Sequence, residues 1–500
     1  MRIFRRLPPI LALAASLALY ARAQSGAPPA VEGPLTMEQA IQLALAKNYS
    51  IKVESFTTPI ARANLLAEWG AFDPVFSASY SYGEDGNPQP ADPTGERDPG
   101  TIIKTDAYDV SLSGLTPWGL SYRLRANTAN QRGTFNNFTD NYFTFAGVEL
   151  TQPLLRDFGF GANLAGVRIA RANRGIAEWT YKLTVMDVIT ETIFVYHDLN
   201  FALKNLDSAR RSRDLAAGLL EENEKRFRTG SMSESDVTEA RARVARREEA
   251  ILIAERVVED RKNFLKQLIS DNRSATLLDT AVTITSPTPL PPLTPAPAVD
   301  FKRALELRPD YQQAFLVVRR ARTSRDYRFN QLLPRVDLVG SYGYNGLDER
   351  FSESRRQVED REIRSYSAGA VVSFPLTWTA ERGRYRAAKL TLRQAEAQLE
   401  QLEQDILVRI GNAAGQIETT AQRVEATRRA RELAQQTLEA ELKKLRAGTS
   451  TTFFVLQQQE ILTDAESREY LAFADHQKAL AEYDRQLGLT LDKHRVTIDR

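Results

Sequence analysis

The sequence predicts an α+β membrane protein built from two internal structural repeats. Three observations support this fold class. Long runs rich in Ala, Leu, Arg, Glu and Gln carry apolar residues three and four positions apart, which predicts helices that pair as coiled coils. Shorter segments alternate apolar and polar residues, which predicts strands. Both kinds of segment recur in the same order in the second half of the chain.

One twelve-residue motif occurs twice and marks the turns of two helical hairpins. Residues 226–237 have the sequence RFRTGSMSESDV, and residues 444–455 have the sequence KLRAGTSTTFFV, at a constant offset of 218. In both copies a Gly followed by Ser and Thr residues lies between two helical runs. This order is expected for a helix C-cap followed by a new N-cap. The chain is therefore predicted to turn back sharply at Gly230 and at Gly448.

The start of the chain predicts a secretory signal peptide over residues 1–23. A basic segment precedes an apolar run and a small-x-small cleavage site at Ala21 and Ala23. Its removal takes away four arginines and no acidic residue, so the formal net charge changes from +2 to −2. A nearly neutral chain gives no case for a nucleic-acid partner. Because the sequence has no cysteine, an exported form must be stabilised by packing or assembly rather than by disulfides.

The first repeat, residues 24–284, begins with a short Pro-rich arm and a helix predicted over residues 36–69, with Thr36 as its N-cap. Four strand-like segments follow, over residues 72–82, 106–115, 119–128 and 141–154. Polar loops are expected over residues 83–100 and 129–140. Each strand has about ten residues, the length of a tilted transmembrane strand. Two long helices, over residues 163–228 and 234–269, complete the repeat.

A linker with six prolines, residues 285–298, joins the two halves. The second repeat, residues 299–490, is predicted to contain one strand pair and three helices, over residues 300–331, 383–446 and 452–487. Residues 491–500 form a tail. The first repeat is therefore longer than the second by about one β-hairpin, which lies around residues 116–119.

Neither kind of element is complete in one chain. A helical hairpin roughly 100 Å long, at about 1.5 Å per residue, leaves its apolar stripe uncovered. No apolar run after the leader reaches the roughly 18 residues of a spanning helix, so a membrane-embedded form must be a barrel. A handful of strands cannot close one, because barrels start at about eight strands. Both deficits predict a symmetric oligomer in which several chains share one barrel and one helical tube.

With these features, the chain resembles the TolC family of outer-membrane efflux and secretion channels. The resemblance covers essentially the whole chain after the leader and rests on the segments LTMEQAIQLALAKN, ALELRPDYQQA, RFRTGSMSESDV and KLRAGTSTTFFV. It implies a homotrimer with a joint outer-membrane β-barrel that is continuous with a long periplasmic α-helical barrel. It also implies a passive conduit of a tripartite efflux pump or a type I secretion system. Such a conduit receives substrate from an inner-membrane transporter through a periplasmic adaptor protein.

The extra hairpin departs from the family pattern of two strands per half, which gives twelve strands per trimer. It either joins the barrel, which then has eighteen strands, or decorates the rim. A hypothesis of another class is a secreted or periplasmic coiled-coil scaffold without transport activity. The alternating strands beside the helices argue against that scaffold.

The resemblance also suggests two groups of functional residues. The first group is the pair of turns, which recur with their Arg, Gly and Ser or Thr and are expected to contact the adaptor: Arg228, Thr229, Gly230, Ser231, Arg446, Ala447, Gly448 and Thr449. The alternative for both arginines is that they only offset the helix macrodipole. The second group corresponds to the family's ring of carboxylates at the closed pore. Here those positions hold Phe454 and Gln457, and their first-repeat equivalents are Asp236 and Glu239.

The constriction is therefore expected to combine an acidic and an apolar element. No catalytic, cofactor or metal site is predicted. The sequence has no GxSxG, Walker A or HExxH pattern. Its three histidines, His197, His476 and His494, lack a metal-ligand partner at helical spacing. We accordingly expect no enzymatic activity, no cofactor and no metal.

Overall fold

The computed structural model describes residues 33–88, 93, 95, 100–287 and 293–497. The predicted signal peptide, most of the arm, parts of the predicted loop 83–100 and the centre of the linker lie outside the described residues. The chain divides into two compact units, which are described separately. Unit 1 comprises residues 1–49, 188–292 and 419–481, and unit 2 comprises residues 50–187, 293–418 and 482–500. Each unit takes segments from both predicted repeats.

The first predicted helix is interrupted twice, giving α1 (Met37–Lys47), α2 (Tyr49–Glu54) and α3 (Thr57–Trp69). Thr36 is the N-cap, as predicted, and forms a capping box with Gln39. The first interruption is at Asn48, which has an extended backbone and whose side chain donates to the carbonyl of Leu268 at 3.1 Å. This contact with a residue far along the chain ends α1 where the local sequence favours a continuous helix.

In the part of the chain that the structure describes, six strands form one antiparallel sheet in chain order, and each is hydrogen-bonded to the next. They are β1 (Val75–Asn87), β2 (Thr101–Leu115), β3 (Ser121–Gly133), β4 (Tyr142–Pro153), β5 (Arg335–Asp348) and β6 (Ile363–Ser373). β1 and β3 extend into the predicted loops because their last residues pair with the first part of β2. Both strands of the extra hairpin, β2 and β3, lie within the sheet.

Between β4 and the linker the chain forms helices α4 (Gly159–Asn163), α5 (Ala165–Arg228), α6 (Glu234–Ile269) and α7 (Thr276–Asp279). After the linker it forms α8 (Pro297–Leu307), α9 (Pro309–Asn330), α10 (Phe351–Glu359), α11 (Thr379–Arg446), α12 (Thr452–Leu487) and α13 (Thr490–Lys493). Within the described residues, no helix carries an apolar stretch long enough to cross a bilayer.

One long helix was predicted over residues 300–331, and the structure divides it into α8 and α9. Pro309 begins α9 and has no N–H to continue a helix, and it forces the preceding residue out of the helical region. Arg308 is accordingly extended, with φ −67° and ψ 123°. Its guanidinium is buried, pairs with Asp310 at 2.5 Å and donates to the backbone carbonyl of Gln486 at 2.8 Å. The break between α8 and α9 is thus stabilised by contacts of Arg308 with other residues of unit 2.

Unit 1 has its apolar core close to the two helical turns. The core residues come from α5, α11 and α12 and are Ala216, Leu219, Ala434, Leu438, Val455, Leu456, Leu462 and Ala465. A second point of attachment joins the segment before α1 to the segment after α7. The N–H of Leu35 donates to Thr283 at 2.8 Å, and the N–H of Thr285 donates back to Leu35 at 3.0 Å. The hydroxyl of Tyr196, on α5, donates to the same Leu35 carbonyl at 2.9 Å.

Candidate functional site

The first turn follows α5 and has the hydrogen bonds of a Schellman motif. Gly230 has φ +77°, a left-handed conformation that costs a residue with a side chain about 1–2 kcal/mol. Its N–H donates to the carbonyl of Phe227 at 2.9 Å. The N–H of Ser231 donates to the carbonyl of Arg226 at 2.9 Å, and so does the hydroxyl of Thr229, also at 2.9 Å. The last carbonyls of α5 are therefore satisfied within the turn.

The second turn follows α11 and repeats the same backbone. Gly448 has φ +75°, and its N–H donates to the carbonyl of Leu445 at 3.1 Å. The N–H of Thr449 donates to the carbonyl of Lys444 at 3.0 Å. The residue before the glycine is Ala447, which has no hydroxyl, and the third bond to the Lys444 carbonyl comes instead from the hydroxyl of Thr449 at 3.2 Å. The predicted C-caps at both glycines are thus confirmed by their dihedral angles and hydrogen bonds.

The first turn is closed on its far side by a capping box at the start of α6. The Ser233 hydroxyl accepts from the backbone N–H of Asp236 at 3.2 Å. The Asp236 carboxylate in turn accepts from the Ser233 hydroxyl at 2.7 Å and from the Ser233 N–H at 3.4 Å. A carboxylate in the first turn of a helix is also favoured by the macrodipole. Asp236 therefore stabilises the turn, whatever else it does.

The second turn uses a carboxylate of the preceding helix instead. The Ser450 hydroxyl donates to Glu441 of α11, and the Lys444 ammonium pairs with the same carboxylate at 3.0 Å. These two donors, Ser450 more than Lys444, lower the pKa of Glu441 below its ordinary value. Glu441 and Lys444 line an open cavity of about 430 Å³ together with Gly448 and Phe454.

The predicted acidic pair lies in a different cavity, of about 180 Å³, between α6 and α12. Asp236 and Glu239 line it together with Arg243 and Phe453. The carboxylate of Glu239 pairs with the guanidinium of Arg243 at 2.8 Å. That guanidinium lies over the ring of Phe453, 4.7 Å from its centroid, as in a cation–π contact. Charge on Glu239 is therefore balanced within the chain, and Arg243 connects the two hairpins.

The four predicted constriction residues are thus not all together within one chain. Asp236 and Glu239 share one cavity, Phe454 lines the other, and the exposed Gln457 lines neither. The rings of Phe453 and Phe454 are 5.5 Å apart and nearly perpendicular. Sequence reasoning missed Phe453 and Arg243. The adjacent aromatic pair was a usable signal for Phe453, whereas Arg243 belongs to a charged run that resembles a solvated helix face.

The hairpins are held together beneath these cavities. The Thr452 hydroxyl donates to the side-chain carbonyl of Asn223 on α5 at 3.2 Å, and both side chains are buried. Val455 is fully buried, and its first-repeat equivalent Val237 is also buried. All eight turn residues predicted to contact a partner are exposed. The site therefore consists of two exposed, hydrogen-bonded loops on a packed base.

No group of three or more His, Cys, Asp or Glu side chains that could hold a metal ion occurs in the described part of the chain. Of the three histidines, His197 is buried, and His476 shares a hydrogen bond with Thr420 at 3.0 Å. The arrangement around the turns offers ion pairs, exposed hydroxyls and aromatic surface. These groups suit the recognition of a protein partner or the control of a pore.

Comparison with known proteins gives a family match for the segments that carry these features. A family model described as outer membrane efflux protein matches residues 115–270 and 301–489. The matched ranges include both hairpin turns and the whole of α5, α6 and α12. A search of curated proteins gives no match.

Solved structures of outer-membrane channels have the same fold. The CmeC outer membrane channel of Campylobacter jejuni aligns with a TM-score of 0.69 at 15% identity, covering 93% of this chain and 90% of that chain. The outer membrane protein VceC of Vibrio cholerae aligns with a TM-score of 0.66 at 16% identity, covering 90% and 96%. The open state of the MtrE outer membrane channel of Neisseria gonorrhoeae aligns with a TM-score of 0.63 at 16% identity, covering 91% and 89%.

Proposed function

Because the chain belongs to the outer membrane efflux protein family, whose members are TolC-like channels of the outer membrane, we propose that it is the outer-membrane component of a tripartite efflux pump or a type I secretion system. It acts as a passive conduit that extends into the periplasm. Substrate leaves an inner-membrane transporter, passes a periplasmic adaptor protein and exits through this channel. In this proposal residues 24–284 and 299–490 are the two repeats, and residues 285–298 link them.

A homotrimer is part of the proposal, and the sheet supports it. β1 and β6 each have a neighbour on one side only, and every residue of both strands is exposed. An unpaired strand edge in hydrocarbon leaves backbone N–H and C=O groups without partners, which costs several kcal/mol for each group. Pairing of β6 with β1 of the next copy satisfies both edges and closes a ring of identical subunits.

The two turns are the proposed adaptor-contacting surface, and the observation that carries the proposal is that both are exposed and closed by the same backbone hydrogen bonds. The Schellman bonds hold the backbone that carries the exposed residues Arg228, Thr229, Arg446 and Thr449. Neither arginine forms a salt bridge within 4 Å in the described part of the chain, so both remain available to a partner. A preorganised loop loses little conformational entropy when it binds.

The constriction is proposed to lie just beyond the turns. We retain Asp236, Glu239, Phe454 and Gln457 as its residues and add Arg243 and Phe453. Three copies would bring six carboxylates and three aromatic pairs to one axis. Rings of carboxylates attract cations, and apolar rings exclude water, so the two elements restrict ions by different means.

A charge-reversal variant tests the function. Arg228→Glu combined with Arg446→Glu is expected to abolish efflux of a fluorescent dye in a strain that lacks its own channel but has the adaptor and transporter. Arg429→Glu, at an exposed arginine in the interior of α11, is the matched control and should retain efflux. Full efflux by the double variant, with the trimer intact in outer-membrane fractions, would contradict the adaptor role of the turns. A scaffold without transport activity predicts that even the wild-type protein leaves dye accumulation unchanged.

A further inference from the structure

The sheet has a continuous apolar row that crosses all six strands. One side chain from each strand stands opposite the next in register: Phe76, Leu112, Leu124, Val148, Tyr342 and Tyr366. All of these except Val148 are large hydrophobic side chains that are exposed in the chain. An exposed apolar row of this length is unusual for a surface that faces water and fits a surface that faces lipid.

The rows on either side of it, one residue along each strand, belong to the opposite face. One is made of small and polar residues and an arginine: Ser77, Ser111, Arg125, Gly147, Gly343 and Ser365. The other is Val75, Ser113, Arg123, Glu149, Ser341 and Ser367. An arginine on the lipid face costs about 2–4 kcal/mol at the bilayer midplane. Arg123 and Arg125, which lie level with the apolar row, therefore assign this face to an aqueous lumen, where Arg125 pairs with Asp109. Charged residues of the other face, among them Lys104, Asp106, Arg132 and Arg364, lie toward the ends of their strands that are farther from the long helices.

The extra hairpin follows this two-faced pattern as fully as the other strands do. β2 and β3 have 15 and 13 residues, and a tilted strand needs about 9–11 to span a bilayer. Leu112 and Leu124 continue the apolar row, and Ser113 and Arg123 continue the polar one. A hairpin standing in water at a rim has no physical reason to keep one face apolar in register with its neighbours.

The turn of this hairpin is also fixed at the end of the sheet from which the helices start. The N–H of Thr116 donates to Leu120 at 2.8 Å, and the N–H of Gly159, the first residue of α4, donates to the carbonyl of Trp118 at 2.9 Å. The rings of Trp118 and Phe160 make an edge contact, 6.5 Å between centroids. The strand connections at the opposite end are longer, as is usual for the outer side of bacterial barrels.

We infer that every chain contributes six strands to the barrel, so that the proposed trimer has eighteen strands. This inference rests on the proposed function. With strands about 4.8 Å apart and tilted by about 40°, the backbone diameter is about 24 Å for twelve strands and about 36 Å for eighteen. Side chains that occupy about 5 Å of each wall leave a lumen of about 14 Å or about 26 Å. Barrels of 16–18 strands are those that enclose an open aqueous channel.

Cysteine labelling tests the strand number, because the chain has no cysteine of its own. The four single variants are Leu112→Cys and Ser113→Cys on β2, and Tyr342→Cys and Ser341→Cys on β5. The pairs are matched, since Leu112 shares its row with Tyr342 and Ser113 shares its row with Ser341. A membrane-impermeant thiol reagent is applied to outer-membrane vesicles. At both strands we expect the lumen cysteine to react at least tenfold faster than its apolar-face neighbour.

The outcomes separate the inference from the proposed function. If the β5 pair differs tenfold but the two β2 cysteines react equally fast, the hairpin stands in water, and the eighteen-stranded barrel is wrong while the channel stands. If the β5 pair also shows no difference, there is no barrel, and the proposed function fails with the inference. Electron cryomicroscopy of the wild-type protein in lipid nanodiscs gives the direct count. Eighteen strands support the inference and twelve overturn it.

Discussion

The two turns of unit 1 share a backbone and differ in the side chains around it. Gly230 and Gly448 have φ of +77° and +75°, and each turn closes with the same pair of backbone hydrogen bonds. At the first turn the bonded carboxylate is Asp236, in the helix that follows. At the second turn it is Glu441, in the helix that precedes. The acidic group has therefore changed sides between two turns of equal geometry.

This comparison separates what builds a turn from what the turn presents. The glycines and the valines that occupy the same motif position, Val237 and Val455, are alike because they set the backbone and the core. Among the exposed positions, Arg228 and Arg446 are shared, whereas Thr229 corresponds to Ala447, and the second turn is followed by two aromatic residues where the first has none. We expect equivalent substitutions at the shared positions to have equal effects in the two turns. Substitutions at the diverged positions should have effects that differ between the turns.

The largest predicted change in the free energy of unfolding concerns the buried His197 of unit 1. His197, on α5, is buried with no hydrogen-bond partner for either ring nitrogen within the described residues. Burial lowers the pKa of His197 from 6.5 to about 4; Lys478 acts in the same direction and Asp198 opposes it. In the unfolded chain the imidazole takes up a proton below about pH 6.5, whereas in the folded chain it does so only near pH 4. The free energy of unfolding therefore falls by up to about 3 kcal/mol between pH 6.5 and pH 4. Stability is unaffected by this group above pH 6.5.

Thermal unfolding followed by circular dichroism at pH 7.5, 6 and 5 checks this. His197→Leu removes the buried imidazole and should flatten the loss of stability on acidification. His476→Gln is the matched control, because His476 keeps a hydrogen-bond partner in Thr420, and it should retain most of the slope. Equal slopes for wild type and His197→Leu would show that His197 is already protonated or solvated in the folded protein.

The next largest effect is expected at the two glycines. Valine resists the left-handed conformation, and the strain of about 1–2 kcal/mol lowers the population of correctly formed turns about tenfold. Gly230→Val and Gly448→Val should each reduce efflux by about that factor while insertion in the outer membrane continues. Gly218→Val, at an interior position of α5 with open space around it, is the control and should leave efflux intact. Wild-type efflux in both turn variants would make the turns structural only.

The sequence predicts the fold well where the signals are local. The bounds of α6 and α12 agree with the predicted ranges 234–269 and 452–487. The glycines of the two turns and the Ser and Thr residues after them mark both starts, and Gly488 marks the end of α12. The break at Asn48 and helix α10 were not predicted. Asn48 bonds to Leu268, and Ser354 of α10 bonds to the backbone of Tyr142 at 2.9 Å. Both partners are more than 200 residues away, so no local pattern reports them.

The candidate site also contains local features that the sequence predicts and long-range contacts that it does not. The turns were predictable because Gly and Ser or Thr act on their own neighbours. The contact of Arg243 with Phe453 was not, because it joins two helices that are distant in sequence. The pairing of Glu239 with Arg243 has helical i,i+4 spacing. Spacing alone does not distinguish a pair that lines a cavity from one on a solvated face.

A smaller effect is expected when the N-cap side chain that follows the first turn, Ser233, is removed. Ser233→Ala removes the capping box and should lower the stability of α6 by about 1 kcal/mol. Ser450→Ala removes only a bond to Glu441 of the preceding helix and should have less effect on α12. Hydrogen exchange of the backbone amides at 234–237 and 452–455 measures both. If Ser450→Ala increases exchange as much as Ser233→Ala does, the two turns are stabilised alike and the comparison fails at this point.

The smallest effect is expected in the resting conductance of the reconstituted channel, and it tests which diverged residues restrict the pore. Phe453 and Phe454 are both about half-exposed. Phe454 lines the open cavity beside Glu441, whereas Phe453 lines the smaller cavity and its ring faces the guanidinium of Arg243. An apolar ring restricts ions by excluding water, so Phe454→Ala should raise the conductance about twofold, and Phe453→Ala should raise it less.

The acidic pair is expected to act separately from the aromatic residues. Asp236→Asn with Glu239→Gln should weaken block by divalent cations without raising conductance. Both substitutions keep the side-chain volume, and the amide oxygen introduced by Asp236→Asn can still accept the capping bonds from Ser233. If the double variant raises conductance and Phe454→Ala does not, the acidic side restricts the pore and the aromatic residues of the second hairpin face away from it.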